Sequence, residues 1–299
     1  MTPKPPFRGK FIRRERLPRR KQMTIAIGLF GQDCIVMAAD TQESTGNYMK
    51  SDETKLLPFI SFGSGAVQAD TLQPGACVVA GAGDSGYVRA LSIKLGQKFL
   101  DNPKVRLSST PQGEHIELLV EEVLVGFYKK HIIPFASYPQ SQRPDVEMMM
   151  GMFRNHELRL LVTEKTSPVG LRPYEAIGIG CTYAKLLLAK LWAPLPAKEL
   201  EVLAAYVIFM TKESVEDCGK YTTITTIHGS KIGDTPSGSL LRPPDHSVTS
   251  TPWNHIDQWE RSFKTTWAQT EKNAIMELIK QDAYGPTPEK FRKRRLNTQ

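Results

Sequence analysis

Residues 19–46 read RRKQMTIAIGLFGQDCIVMAADTQESTG, and the fold turns on how this stretch is divided. From Thr24 onward, TIAIGLF and CIVMAAD are apolar, β-branched runs separated by GQD. That is the pattern of two strands joined by a short glycine-containing turn. Immediately upstream the chain is densely basic. The join at Gln22, Met23 and Thr24 therefore marks either the point where an arm meets a domain or the point where the working chain begins.

Working outward, TQESTG reads as a loop, and NYMK with TKLLPF as a second hairpin. GACVVAGAGD is a buried strand closing on glycines that let a helix start near the sheet. Two helices follow. DSGYVRALSIKLGQKFL groups Val88, Leu91, Ile93, Leu95 and Phe99 on one side, and EHIELLVEEVLVGFYKK does the same with Ile116, Leu119, Val120, Val123, Leu124 and Phe127. VEMMMGMF, ELRLLVTE and YEAIGIG are strands, CTYAKLLLAKLW and AKELEVLAAYVIFMTKE helices, and YTTITTIHG a further strand. After a Gly-, Pro- and Ser-rich connection over 229–252, Thr251 and Pro252 open a last helix with Ile256, Trp259, Phe263 and Trp267 along one face. Strands, a helix pair, strands, a helix pair and a strand do not make the strict alternation of a parallel sheet. The order predicts an α+β fold, a four-layer αββα sandwich of two stacked antiparallel sheets flanked by helix pairs.

Charge divides the chain further. Residues 1–22 carry nine Lys or Arg against one Glu, and residues 286–299 carry Lys290, Arg292, Lys293, Arg294 and Arg295 against Glu289. The formal net charge of +8 therefore belongs to two tails, and the body between them is mildly acidic. This predicts a basic arm over 1–22, one domain over 23–285 and a basic tail over 286–299, with the tails suited to an acidic partner protein or nucleic acid. Cys34, Cys77, Cys181 and Cys218 lack metal-ligand spacing, so neither a disulfide framework nor a metal is expected, and GAGDSG lacks the spacing of a dinucleotide fingerprint and the lysine of a phosphate loop, so no cofactor is expected. No apolar run reaches the ~20 residues of a membrane helix, and the expected location is the cytoplasm.

MTIAIGLFGQDCIVMAADTQESTGNYMKSDETK, AIGIGCTYAKLLLAKL and SVEDCGKYTTITTI, in this order, resemble three blocks of the proteasome β-type subunits and their bacterial two-component relative. These are the Thr-Thr-Ile-Ala strand with its following aspartate and lysine, the Gly-Ser-Gly turn entering a helix, and the Asp-x-x-Ser-Gly-Gly turn. The resemblance covers about residues 23–228 and implies an N-terminal-nucleophile hydrolase. It implies a threonine-type peptidase acting on peptide or unfolded polypeptide, assembled as a homo-oligomeric ring that an unfoldase feeds. In such a site a threonine supplies its hydroxyl as nucleophile and its own α-amine, of reference pKa about 7.7–8.0, as base. A lysine lowers the hydroxyl's pKa, and an aspartate orients the lysine. By resemblance these are Thr24, Lys55 and Asp40, with Gly46 and Gly178 offering N–H groups to the substrate or oxyanion.

The sequence also departs from that pattern. Aligned on Thr-Thr-Ile-Ala the nucleophile falls at Met23, whereas counting back from Asp40 places it at Thr24. The turn serine falls at Ile179, the late aspartate at Val215 (with Glu213, Glu216 or Asp217 as substitutes) and the late serine at Cys218. Two functions follow. Translation from Met23 and loss of that methionine expose Thr24 and make an enzyme. A retained leader makes a noncatalytic subunit or scaffold whose basic tails bind a partner or nucleic acid.

Overall fold

The computed structural model describes residues 24–45, 49–61, 75–102, 107, 115–138, 144–154, 157–170, 172–216, 218–229 and 248–284. The proposed arm over 1–22 and tail over 286–299 lie outside them.

The hairpin read from the opening stretch is present, as β1 (Ile25–Phe30) paired antiparallel with β2 (Cys34–Asp40). Both belong to a five-stranded sheet of order β10-β1-β2-β11-β12, with β10 at Tyr174–Gly178, β11 at Thr222–His228 and β12 at Val248–Ser250. A second five-stranded sheet has the order β5-β6-β7-β8-β9, formed by Leu56–Ser61, Gly75–Gly83, Val146–Arg154, Glu157–Glu164 and Ser167–Gly170. Every pairing in both sheets is antiparallel.

The hairpin expected between NYMK and TKLLPF forms differently. Residues read as loop become β3 (Gln42–Thr45), which pairs with β4 (Met49–Asp52) as a separate two-stranded ribbon. β5 instead pairs with β6, where Leu56 is buried opposite Ala80. The apolar run of β5 is thus used by the larger sheet, and the polar residues before it make the ribbon.

Side-chain alternation explains why these strands read as continuous apolar runs. In β1 and β2, Ile25, Ile27, Leu29, Val36 and Ala38 join a core with the helices α3 (Cys181–Leu191), α4 (Ala197–Ser214) and α5 (Trp253–Tyr284). The intervening Ala26, Ile35, Met37 and Ala39 face a second core with Ala76, Val78, Ala80, Met149 and Phe153 of the other sheet. A third core sets Cys77, Val79, Met148, Met150 and Met152 against α1 (Ser85–Asp101) and α2 (Ile116–His131). β1, β2, β6 and β7 bury both faces along most of their length. Each fully buried Leu, Ile or Phe contributes about 1.5–3 kcal/mol.

The apolar stripe of α5 ends sooner than its spacing suggests. Ile256 is buried and Phe263 stacks edge-on against Tyr206, whereas Trp267 is 49% exposed. Among the described residues no helix is long and apolar enough to cross a membrane.

One buried cation ties the second sheet to its helix layer. Arg154, ending β7, donates from Nη2 to the Phe99 carbonyl at 2.6 Å and from Nη1 to the Asn102 carbonyl. Its guanidinium lies 4.0 Å over the Phe99 ring. A positive charge here satisfies carbonyls at the C-terminal end of α1, which the helix leaves without intrahelical donors. Arg154→Met is therefore expected to lower stability by about 2–4 kcal/mol in urea unfolding, and a change within error would contradict this role.

Candidate active site

Thr24, Asp40 and Lys55 come together at the end of the first sheet. Asp40 is the last residue of β2 and fully buried, because its neighbours Ala39 and Ala38 pair on both sides with β1 and β11. Its Oδ1 accepts from Lys55 Nζ at 2.6 Å and from the Ile25 N–H at 3.1 Å, and its Oδ2 accepts from the Gly219 N–H at 3.0 Å. Lys55, in the segment between β4 and β5, also donates to the Gln42 carbonyl at 2.6 Å. Burial pushes the Asp40 carboxyl above its ordinary range, while the Lys55 ammonium and the Gly219 and Ile25 N–H groups act in the opposite direction. The carboxylate thus fixes the ammonium directly beside the Thr24–Ile25 backbone.

Thr24 is 5% exposed and lines a cavity of about 290 Å³ together with Lys55, Glu53, Leu57, Gly83 and Arg89. An ammonium, a hydroxyl and a concave wall are three of the elements of an acyl-transfer site, which also needs a base beside the hydroxyl. No cysteine lines this cavity. Cys34 is buried, and burial with the neighbouring Asp33 pushes its thiol up to about 11, away from any thiolate role.

Gly178 closes β10 opposite Ile25. With φ of +90°, and with an added Cβ falling 2.1 Å from the Thr24 carbonyl oxygen, only glycine fits. Its N–H, expected to face an oxyanion, donates instead to Glu147 Oε2 at 2.8 Å. Its role here is to admit the Thr24 backbone. Gly46, the other expected donor, lies outside the described residues, as does Asp217.

The replaced positions behave as their chemistry dictates. Ile179 is 46% exposed beyond β10, and Cys218 packs in the core between the first sheet and α3–α5. Val215 caps the end of α4, and Glu213 and Glu216 are exposed. What holds Asp40 from this side is a backbone group, the Gly219 N–H, which no side-chain motif announces. An added Cβ at Gly219 would lie 2.5 Å from Gln42 Oε1, so the Gln42 side chain would have to move to admit one. A second set of contacts was equally absent from the sequence reading. Thr41 Oγ1 donates to Asp52 Oδ1 at 3.0 Å, the Tyr221 N–H donates to Thr41 Oγ1 at 3.2 Å, and Lys220 pairs with Asp52 at 3.3 Å.

No protein-family model matches the chain, and no curated protein sequence does. Solved structures share its fold. The Gly-1 mutant of Anbu from Hyphomicrobium sp. strain MC1 has a TM-score of 0.60 at 15% identity, over 85% of this chain and 96% of that one. Anbu, the ancestral beta-subunit, from Yersinia bercovieri has a TM-score of 0.57 at 14% identity, over 83% and 97%. The Anbu complex from Pseudomonas aeruginosa, described as a helical assembly, has a TM-score of 0.57 at 14% identity, over 84% and 96%. At such identities the likeness establishes the fold alone.

These matches also correct the resemblance drawn from sequence. The similar structures are Anbu proteins, proteasome-like yet a distinct bacterial family, rather than the proteasome β-type subunits or their two-component relative. The physical reason is visible in which residues matched. The alternating strands and glycine turns are backbone requirements of the fold, whereas the side chains at 179, 215 and 218, which carry the narrower pattern, differ.

The buried pair makes a direct test possible. Asp40→Asn and Lys55→Met should each cost about 3–5 kcal/mol in urea unfolding, because each strands a buried partner. The double variant should lose far less than their sum. Additive losses would mean that the two groups do not depend on each other.

Proposed function

We propose that this chain is a proteasome-like subunit of the Anbu type and a threonine-type peptidase when Thr24 is its first residue. The observation that carries this reading is the Asp40–Lys55 pair, seated against the Thr24–Ile25 backbone at the edge of a cavity that Thr24 itself lines.

The steps follow from the groups present. The Thr24 hydroxyl attacks the scissile carbonyl and its proton passes to the free α-amine of the same residue, whose reference pKa of about 7.7–8.0 suits a base near neutrality. The Lys55 ammonium stabilises the developing alkoxide, and Asp40 keeps that ammonium in place and charged. The protonated amine gives its proton to the departing peptide amine, leaving an ester on Thr24. Water, deprotonated by the same α-amine, hydrolyses the ester and restores the hydroxyl. With Met23 still attached, the nitrogen is an amide and cannot serve as base, so exposure of Thr24 is the condition for activity.

The three cores support a four-layer sandwich of helices, sheet, sheet and helices, with residues 23–285 as one domain. The helical assembly described for the Pseudomonas aeruginosa protein supports oligomerisation of this chain as well. The substrate class is peptide or unfolded polypeptide, and the proposed location is the cytoplasm. A noncatalytic subunit is the second reading. It is favoured by Ile179, Val215 and Cys218, which bring neither hydroxyl nor carboxylate to the positions where the resemblance expects them.

Protein built to begin at Thr24 should hydrolyse unstructured peptides, and Thr24→Ala or Lys55→Ala should lower kcat by about 10²–10⁴-fold. Hydrolysis unchanged by either substitution would sink the catalytic assignment.

A further inference from the structure

Behind the cavity, α4, α5 and β11 meet in a polar contact that the chemistry above does not use. Lys212 Nζ, in the last turn of α4, donates to Glu260 Oε1 of α5 at 2.5 Å, to Thr222 Oγ1 at 2.9 Å and to the Lys220 carbonyl at 3.1 Å. Thr222 Oγ1 donates to the same Glu260 oxygen at 2.6 Å. With Lys212 9% exposed and Glu260 22% exposed, the pair is shielded from the solvent screening that weakens surface ion pairs.

This contact grips the loop that completes the site. Within residues 218–221 the Gly219 N–H reaches Asp40 Oδ2, the Lys220 ammonium reaches Asp52, and the Tyr221 N–H reaches Thr41 Oγ1. Between these three contacts the backbone takes an unfavourable turn, because Lys220 has a φ of +59°. A non-glycine residue in that region persists only where its surroundings hold it there. Lys212 adds a hold from outside the loop, through the Lys220 carbonyl.

We infer that the Lys212–Glu260 pair is a positioning device for the Asp40–Lys55 site, with Glu260 fixing Lys212 and Lys212 fixing the loop that presents the Gly219 N–H to Asp40. On this account α5 does more than cover the sheet with Ile256, Trp259 and Phe263, since its Glu260 carboxylate sets the geometry of a site on the opposite side of the loop. The catalytic consequence rests on the reading given under Proposed function, whereas the effect on the loop does not.

The test compares amide hydrogen exchange at Gly219 with that at Val36, which sits in the β2 ladder away from the loop, in the full chain. Glu260→Gln and Lys212→Met should each accelerate Gly219 exchange relative to Val36 by about tenfold, the scale expected for a lost charged hydrogen bond. Arg261→Ala, which removes only an exposed pair with Asp257 on the same helix, should leave the ratio unchanged. Thr222→Val is the milder variant should either of the first two fail to fold. A ratio that stays constant while both amides exchange faster would overturn the proposal, because that is what general destabilisation produces. In chain beginning at Thr24, Glu260→Gln should lower kcat with KM unchanged, and a raised exchange ratio with unaltered kcat would overturn the catalytic part. If the unsubstituted chain hydrolyses no peptide, the peptidase reading fails and the exchange ratio still decides this one.

Discussion

The structure around the site depends on one buried carboxylate. Asp40 has no exposed surface, and a carboxylate in that position costs several kcal/mol in lost hydration, on the order of what a small domain has to spare. Three donors from three separate parts of the chain offset that cost: Lys55 Nζ, the Ile25 N–H and the Gly219 N–H. Each of them is thereby located. The first residues of β1, the segment ahead of β5 and the loop ahead of β11 converge because a single anion requires all three.

The sheets make that convergence possible. Asp40 stands at the end of a strand paired on both sides, with β1 and with β11, and its carboxylate is held among the strand ends. Small residues let the two sheets approach closely. An added Cβ on Gly28 would lie 2.7 Å from Leu160, and one on Gly151 would lie 2.8 Å from Met37. The core and the site are thus consequences of the same alternation of side chains along β1, β2, β6 and β7.

Much of this was legible in the residues. The two-sided burial of TIAIGLF and CIVMAAD shows in their unbroken apolar character, and the partnership of Asp40 with Lys55, which the resemblance implied, is present as a 2.6 Å contact. The β3–β4 ribbon was read as a loop and half a hairpin, because Gln42–Thr45 is polar and its partner strand is fixed by register rather than by hydrophobicity. The Gly219 N–H was invisible for a different reason: a backbone donor has no side chain to recognise. Lys212 and Glu260 are 48 residues apart on helices whose packing angle no local pattern specifies.

The likeness to Anbu structures fits this division between frame and detail. A chain at 15% identity to a solved structure can share its fold without sharing its polar groups. Whether chemistry survives that difference turns on the nitrogen of Thr24, as an amine in one case and an amide in the other. The intact mass of the untagged protein, expressed from its own transcription unit, distinguishes them. A chain that begins at Thr24 is the predicted result, whereas a mature chain still carrying residues 1–22 would contradict the peptidase account and leave the fold serving as a noncatalytic subunit.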